Sequence, residues 1–352
     1  MKLSATTLTA SLLVSVIAIL LAIPMMLQWE RPPMDTTQEG FRGLGMEQVT
    51  NPRLAERLKA ANLLPTPDDP VPNDGVLVKD DKETYKNVQV LGDLDTAQFV
   101  RLMAAISVWV APQEGDNASC AYCHNTDNMA SDEKYTKVVA RRMLQMTRAI
   151  NTQYKPHVAE TGVTCYTCHR GQPVPANIWS TNPGMKQAGG FAASRDGQNL
   201  AHQPIPAYAS LPYDPFTPLL SKPGETIRVV ATTALPGGTG ADVKKTETTY
   251  ALMMHMSTAL GVNCTFCHNT RQFANWQQSR PQRVTAWHGI ELVRDVNANY
   301  LGSLTDVFPA NRKGPMGDVM KVDCATCHNG VNKPLYGFSM AKSYPELSVP
   351  NP

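Results

Sequence analysis

Four short motifs in this chain each place two cysteines and a histidine in the pattern Cys-x-x-Cys-His. This is the spacing that attaches c-type haem, because the two thiols bond the vinyl groups and the histidine ligates the iron. The eight cysteines of the motifs are all the cysteines of the chain: Cys120, Cys123, Cys165, Cys168, Cys264, Cys267, Cys324 and Cys327. The sequence therefore predicts four covalently bound haem c groups and leaves no cysteine for a disulfide.

Other uses of paired cysteines explain the pattern less well. A zinc site also uses Cys-x-x-Cys pairs, but zinc does not require a histidine directly after every second cysteine. A thioredoxin-like redox centre needs one such pair beside a βαβ unit, and the sequence shows no βαβ pattern. Haem attachment is therefore the chemistry that the motifs predict.

Each motif histidine supplies one axial ligand, and these are His124, His169, His268 and His328. The sixth ligand is less determined by spacing. A methionine on the preceding helix is suitable because a thioether raises the haem potential, although such methionines also pack hydrophobic cores. Met103 stands alone in its helix, whereas two other candidates have competitors: Met143 competes with Met146, and Met253 with Met254, Met256 and His255.

The helix before the fourth motif contains no methionine, so its haem needs a ligand from elsewhere. The spare histidines are His157, His202, His255 and His288. His157 comes twelve residues before His169 and so stays close to a haem. A haem with two histidine ligands would have a lower potential than one with histidine and methionine.

The motifs must be positioned by the helices that precede them. The first helix is predicted to begin after Asp95, a favourable N-cap, and to end before Pro112. Its apolar face comprises Phe99, Leu102, Met103, Ile106 and Val110, at the spacing of one helix face.

Three further helices are predicted, one before each remaining motif. Ser131 and Thr248 are the predicted caps of the second and third, and Gly261 ends the third. The fourth spans about 284–300. Their apolar faces comprise Val139, Met143, Met146 and Ile150; Leu252, Met253, Met256 and Leu260; and Ile290, Val293 and either Val296 or Asn297. The predicted fold is mainly α, with helix-then-motif units in two pseudo-symmetric pairs joined by long irregular loops.

The chain begins with an apolar segment and an irregular arm. Residues 3–28 carry no charge, which favours an uncleaved transmembrane helix over a cleaved signal peptide, and either places the rest of the chain outside the cytoplasm. Prolines recur in 30–84 and in the linker 173–223. The predicted domains are an anchor at 1–29, an extended arm at 30–84, the first haem pair and linker at 85–222, and the second haem pair at 223–352.

The charge of the chain favours a basic protein partner over nucleic acid. The formal charge of +2 falls to about −2 with four oxidised haems and about −6 with reduced ones, because each haem brings two propionates. Acidic residues bracket the first motif and predict a docking site there: Glu114, Asp116, Asp127, Asp132 and Glu133. Four arginines are candidates to pair with propionates: Arg141, Arg142, Arg148 and Arg283.

Together with the segments between the motifs, these features resemble the tetrahaem cytochrome subunit of the purple-bacterial photosynthetic reaction centre. The resemblance covers roughly residues 40 to 340. It rests on GFRGL at 40–44, YKNVQVLG at 85–92, RRMLQMTRAIN at 141–151, HVAETGVTCYTCHRG from 157, YALMM at 250–254, LGVNCTFCHN from 260 and GIELVRDVN at 289–297.

The resemblance implies a full set of axial ligands. It implies Met103 with His124, Met143 with His169, Met253 with His268, and His157 with His328. It also implies a row of haems in the order first, second, fourth, third, with the third nearest the bacteriochlorophyll special pair. Family members are often lipidated on an N-terminal cysteine, which this chain lacks, so the helix would anchor it. His288 lies where it could compete with His157.

The function that the resemblance implies is electron relay rather than enzyme catalysis. A soluble periplasmic donor, a cytochrome c or a high-potential iron-sulfur protein, would reduce the haems on the periplasmic side of the photosynthetic membrane. The haems would then re-reduce the special pair carried by the core subunits of the reaction centre. The alternatives are a membrane-anchored tetrahaem quinol dehydrogenase and a multihaem reductase, which needs one iron with an open position.

Overall fold

The computed structural model describes residues 5–26, 34–38, 47–66, 69–181, 210–224, 226–230 and 242–351. Within these ranges the chain is mainly helical, as predicted. Its α-helices are α1 Ala5–Met26, α2 Pro52–Ala61, α3 Thr96–Val110, α4 Tyr135–Gln153, α5 Lys155–Val158, α6 Cys165–His169, α7 Phe216–Leu220, α8 Val243–Leu260, α9 Gln282–Asp295 and α10 Cys324–His328. The segment 40–44, most of the predicted linker and His202 lie outside the described residues.

Two short antiparallel sheets accompany the helices. Strand β1 (Asp35–Gln38) pairs with β2 (Glu47–Thr50), and strand β3 (Ile178–Trp179) pairs with β4 (Lys321–Val322). The second sheet joins the chain just after the second motif to the chain just before the fourth, with Ile178 opposite Val322. The arm at 30–84 is not wholly extended, because it contains α2, capped by the side chain of Asn51.

Helix α3 forms as predicted. The side chain of Asp95 accepts a hydrogen bond from the backbone N–H of Ala97, and the helix ends at Val110, two residues before Pro112. Its predicted apolar face packs in the first hydrophobic cluster, around Leu102 and Trp109.

The predicted starts of two helices are wrong by several residues. Helix α4 begins at Tyr135, because the hydroxyl of Ser131 accepts from the backbone N–H of Glu133 in a turn ahead of the helix. Helix α8 begins at Val243, because Asp242 caps it by accepting from the N–H of Lys245. Gly261 ends α8 in the left-handed conformation, as predicted. Helix α9 starts two residues early and continues as a π-helical turn over Val296–Leu301.

Helix α4 is fixed by two fully buried polar side chains. Arg148 Nε donates to the carbonyl of Glu346 at 3.1 Å, and Asn151 Nδ2 donates to the carbonyl of Leu347 at 2.8 Å. Asn151 Oδ1 also accepts from the N–H of Val163 at 2.7 Å, two residues before the second motif. These bonds set the position of the second motif relative to its helix.

Helix α9, with the π-helical turn that follows it, makes the corresponding bonds in the second half of the chain. Arg294 Nε donates to the carbonyl of Leu219 at 2.8 Å, and Asn297 Nδ2 donates to that of Leu220 at 2.9 Å. Asn297 Oδ1 accepts from the N–H of Val322 at 2.9 Å, again two residues before a motif. The second and fourth units are therefore structural repeats, and residues 146 apart in α4 and α9 are equivalent.

The first and third units show a matching relation. The N–H of Gly171 donates to the carbonyl of Trp109 in α3 at 3.0 Å, and the N–H of Gly330 donates to that of Ala259 in α8 at 2.8 Å. Residues 150 apart in α3 and α8 are therefore equivalent. Each of the two relations connects a unit in the first half of the chain to a unit in the second half.

Two hydrophobic clusters support the pairs. The first surrounds α3 and includes Leu335, Tyr344 and Leu347 from the end of the chain. The second comprises residues of α7, α8 and α9 with Trp179. Among the described residues, no helix is both long enough and apolar enough to cross a membrane, so the predicted N-terminal membrane-spanning helix is not supported.

Candidate haem-binding site

A cavity of about 980 Å³ connects the four motifs. This volume lies at the upper end of the range for ligand sites. Residues of every motif line it, and they include Cys123, His124, Cys165, Cys168, His169, Cys267, Cys324, Cys327 and His328. The motifs that the sequence separates by up to 200 residues therefore surround one continuous space.

Five histidines in the site are oriented in the same way. In each, ring atom Nδ1 lies within hydrogen-bond distance of a backbone carbonyl: His124 with Met129 (3.0 Å), His157 with Thr285 (2.9 Å), His169 with Gln172 (2.9 Å), His268 with Phe273 (3.0 Å) and His328 with Val331 (3.0 Å). A carbonyl can only accept, so Nδ1 carries the proton and Nε2 is left with its lone pair. This is the arrangement of a histidine that ligates a metal.

The local structure of the motifs alternates along the chain. The first and third motifs begin in 3₁₀ turns, Ser119–Tyr122 and Cys264–Phe266, and their histidines bond the carbonyl five residues later. The second and fourth are the short helices α6 and α10, and their histidines bond the carbonyl three residues later. Each motif type therefore occurs once in each half.

His157 and His328 face each other across the cavity. Their ring centroids are 6.0 Å apart, at an angle of 68°. Metal–nitrogen bonds of about 2 Å on each side, together with half the width of each ring, account for a separation of this size. The structure thus brings together the two histidines that the resemblance assigns to the fourth haem.

Burial shifts the pKa values of the histidines and cysteines in the site. It lowers the pKa of His157, His169 and His268, and it lowers the pKa of His328 to about 4. Neutral imidazole is the form that binds a metal. Burial also raises the pKa of the Cys165 thiol to about 12 and that of Cys267 to about 11, so both thiols stay protonated at neutral pH.

Cys168 and Cys327 form a disulfide in this structure, which contradicts the prediction that no cysteine is used in one. Their Cα atoms are 4.3 Å apart because α6 and α10 pack side by side. A sulfur in a disulfide cannot also bond a haem vinyl group, so the two states exclude each other. The pairing also shows that the second and fourth motifs are neighbours.

The predicted methionine ligands occupy two kinds of position. Met103 and Met143 line the cavity, as does Met146 one turn along α4. Met253 packs against the second hydrophobic cluster, and Met256 both packs there and lines the cavity. By the 150-residue relation, Met253 is equivalent to Met103.

His255, another of the spare histidines, is placed differently from these five. His255 is buried, with its Nε2 3.6 Å from Asp323 Oδ1 and its ring 4.5 Å from that of Phe216. Burial alone would lower its pKa, but the nearby side chains of Asp323 and Cys324 raise it to about 9. His255 therefore lies beside a buried carboxylate, unlike the five histidines whose Nδ1 contacts a backbone carbonyl.

The arginines proposed for propionates have protein partners. Arg148 makes a two-pronged contact with Asp93, Arg141 pairs with Asp132, Arg142 donates to Ser303 and Asn299, and Arg283 donates to Asn275 and Ser279. Arg170, which follows His169, was not among the predicted arginines. Its Nη2 donates to Asn62 and Cys327, but Nε and Nη1 are buried without a partner among the described residues.

Comparison with known proteins agrees with this geometry. The profile of the photosynthetic reaction centre cytochrome c subunit family matches residues 30–348. The chain is 53% identical over 323 residues to a protein of that name from Rubrivivax gelatinosus, covering 90% of this chain and 84% of the relative. A second, from Thermochromatium tepidum, is 51% identical over 94% of this chain and 79% of the relative. A third, from Roseobacter denitrificans, is 42% identical over 76% and 73%.

This chain belongs to the photosynthetic reaction centre cytochrome c subunit family. Membership implies covalently bound haem c, and the residues present fit that group once the Cys168–Cys327 disulfide is reduced to free thiols. The cavity reaches every motif, five Nε2 atoms are free to ligate, and His157 and His328 are spaced for a metal between them. The unpartnered nitrogens of Arg170 beside Cys327 suit the carboxylate of a propionate.

Proposed function

We propose that this protein relays electrons through four haem c groups on the periplasmic side of the photosynthetic membrane. A soluble donor reduces the haems, and they reduce the photo-oxidised special pair of the reaction centre. The observation that carries this proposal is a cavity lined by residues of all four motifs, together with a histidine at each motif whose Nδ1 lies within hydrogen-bond distance of a backbone carbonyl. Haems held in one cavity are close enough together to exchange electrons along a row.

The chain's own residues attach the haems and select their potentials. The cysteines of each motif supply the thioether bonds, and His124, His169, His268 and His328 supply one axial ligand each. A bound haem supplies the one-electron chemistry, and the protein supplies position and electrostatics. No substrate bond is made or broken, so the protein is not an enzyme.

The sixth ligands follow from the resemblance and from the internal repeat. Met103, Met143 and Met253 ligate the first, second and third haems. The equivalence of residues 150 apart favours Met253 over Met254 and Met256, because it pairs Met253 with Met103. His157 ligates the fourth haem opposite His328, which their ring separation supports.

The order of the row is first, second, fourth, third. The close packing of α6 against α10 supports the central step, because it makes the second and fourth motifs neighbours. The first and third motifs then lie at opposite ends. The third haem lies nearest the special pair, and the donor docks near the first.

Attachment to the membrane by residues 3–28 remains a proposal that rests on their uncharged sequence. The intact mass of the mature protein tests it. A mass that includes residues 3–28 supports attachment through this segment, and a mature chain that begins after Ala22 contradicts it.

The relay is tested on the purified protein. We expect it to co-purify with bacteriochlorophyll-containing subunits, to contain four haems by haem assay and mass, and to be oxidised by a flash. The reduced protein should not bind carbon monoxide, since every iron has two protein ligands. Carbon monoxide binding with substrate turnover would favour a reductase, and reduction by quinol without any bacteriochlorophyll would favour a quinol dehydrogenase.

A further inference from the structure

The second and fourth units differ at the position from which a helix offers its sixth ligand. The bonds of Arg148 and Asn151 match those of Arg294 and Asn297, which fixes the correspondence between α4 and α9 at 146 residues. The residue equivalent to Met143 is then Gly289. Helix α9 therefore has no side chain where α4 carries a methionine.

The ring of His157 occupies the space that Gly289 leaves open. A Cβ atom at Gly289 would lie 2.5 Å from Cε1 of His157, 2.9 Å from its Nδ1 and 3.2 Å from its Nε2. Distances this short exclude any side chain at this position while the ring stays in place. The ring of His157 lies on α5, which packs directly against α9.

The same gap gives His157 its hydrogen bond. A helical side chain covers the turn that precedes its own residue, so the side chain at 289 would cover the carbonyl of Thr285, one turn earlier. With glycine there, Nδ1 of His157 reaches that carbonyl at 2.9 Å. The carbonyl has two lone pairs and can accept from His157 as well as from the helix.

We propose that Gly289 is a positioning residue that lets His157, rather than a helix methionine, ligate the fourth haem. It clears the place of the ligand and uncovers the carbonyl that orients the ring. This inference rests on the proposed function, because it takes His157 and His328 as the ligands of one haem. Gly289 itself touches no reacting atom.

The first test uses Gly289→Ala and His157→Ala in the full-length protein. We expect each to remove or shift the bis-histidine electron paramagnetic resonance signal of one haem, with the haem content unchanged. His157→Ala should also let one ferrous haem bind carbon monoxide. Gly92→Ala is the matched control, since its φ is not left-handed and its new Cβ would make an ordinary contact of 3.4 Å with Lys79.

The outcomes separate the inference from the function on which it rests. If His157→Ala leaves the signal unchanged, the ligand assignment of the proposed function is wrong. If His157→Ala removes the signal and Gly289→Ala leaves it unchanged in a fully loaded protein, the ligand assignment stands and this inference is overturned.

A double variant tests the correspondence with Met143 directly. In His157→Ala/Gly289→Met, the helix regains a thioether at the equivalent position. We expect a low-spin haem with histidine and methionine ligands, no carbon monoxide binding, and a potential above that of the native fourth haem. A variant that binds carbon monoxide as His157→Ala does would show that this position does not face the iron.

A double-mutant cycle of stability serves where the Gly289→Ala protein binds less haem than the native protein. In the native background the substitution should lower the denaturation midpoint, because the new methyl group meets the His157 ring. In the His157→Ala background it should be neutral or raise the midpoint, since alanine favours a helix over glycine. An equal loss in both backgrounds would show that the ring is not what Gly289 accommodates, and would overturn the inference.

Discussion

The loops after the first and third motifs share the hydrogen bonds next to the histidine and differ in their exposed side chains. In both, the motif histidine bonds the carbonyl five residues later. The first loop then carries charged pairs around Asp132, whereas the third exposes the aromatic rings of Phe273 and Trp276. The repeated features are those that hold a haem, while the exposed side chains are free to differ. Surface chemistry, rather than the conformation next to the histidine, therefore distinguishes these two loops.

The largest expected effect comes from removing the buried arginine that α4 and α9 each contain. Arg148→Met and Arg294→Met each remove a fully buried guanidinium and leave backbone carbonyls without a donor. We expect each to lower the free energy of unfolding by about 3 kcal/mol, measured by denaturant titration. Arg142→Met is the control, because its partner groups are exposed, and it should cost less than about 1 kcal/mol. Equal losses of unfolding free energy in all three variants would show that burial gives Arg148 and Arg294 no special role.

Exchange of a ligand should change one haem and leave the fold intact. Met143→Leu should lower the potential of one haem in a redox titration, because the thioether that favours ferrous iron is lost. Met146→Leu should have little effect. Its equivalent in α9 is Leu292, which lines the same cavity, so leucine is already accepted at that position. If Met146→Leu is the variant that lowers the potential, the register of ligands in α4 is shifted by one turn.

A pH dependence between pH about 6.5 and 9 should arise in the second half of the molecule. His255 and Asp323 form a buried ion pair there, and the equivalent positions in the first half hold Ala105 and Thr164. The pair raises the pKa of His255 to about 9, above the value of about 6.5 in an unfolded chain. Its contribution is therefore complete below pH about 6.5 and is lost as the pH rises through about 9.

The measurement is the free energy of unfolding across this pH range. One proton changes it by at most about 1.4 kcal/mol per pH unit. His255→Asn should flatten the decline of the unfolding free energy between pH about 6.5 and 9. The control His288→Asn should leave that decline unchanged. A decline that survives His255→Asn would assign it to another group.

The smallest effect should be a change in the salt dependence of reduction by the donor. Asp132 is already neutralised locally by Arg141 at 2.8 Å and Lys137 at 3.2 Å, and the Arg141 hydrogen bond holds its pKa well below the usual range. Asp127 and Glu133 are the better candidates in the predicted docking site. Asp127→Asn/Glu133→Gln should flatten the salt dependence of bimolecular reduction, because weakened steering slows association.

The control for docking is Glu56→Gln, on the remote helix α2, whose side chain is 70% exposed. It should leave the salt dependence as it is. An unchanged slope in the double variant would place the docking site elsewhere, or indicate a donor that binds through apolar contacts. Electron transfer after docking should be the same in both variants.

Much of the site could be predicted from sequence because covalent haem attachment demands fixed spacing. The motif residues and the apolar face of α3 follow from patterns that local physics enforces. The predictions that Ser131 and Thr248 cap helices were wrong, because serine and threonine side chains also bond the backbone in turns and within helices. In the structure Thr248 bonds the carbonyl of Lys244 within α8.

Other features depend on contacts that no local pattern records. Gly289 acts through the absence of a side chain. In the sequence it cannot be told from any other helical glycine, because its effect depends on the neighbouring ring of His157. Arg170 is notable only because burial leaves two of its nitrogens unpartnered. The disulfide between Cys168 and Cys327 joins residues 159 apart and follows from the packing of two motifs.

The end of the chain completes the first half, and this constrains the order in which the protein can mature. The carbonyl of Glu346 bonds Arg148 across 198 residues, and Leu347 belongs to the first hydrophobic cluster. Contacts at such separation form late, because the intervening chain must first be closed into a loop. A polypeptide synthesised N-terminus first cannot complete this first hydrophobic cluster until Glu346 and Leu347 have been made. The first two motifs therefore stay accessible for haem attachment until those residues are in place.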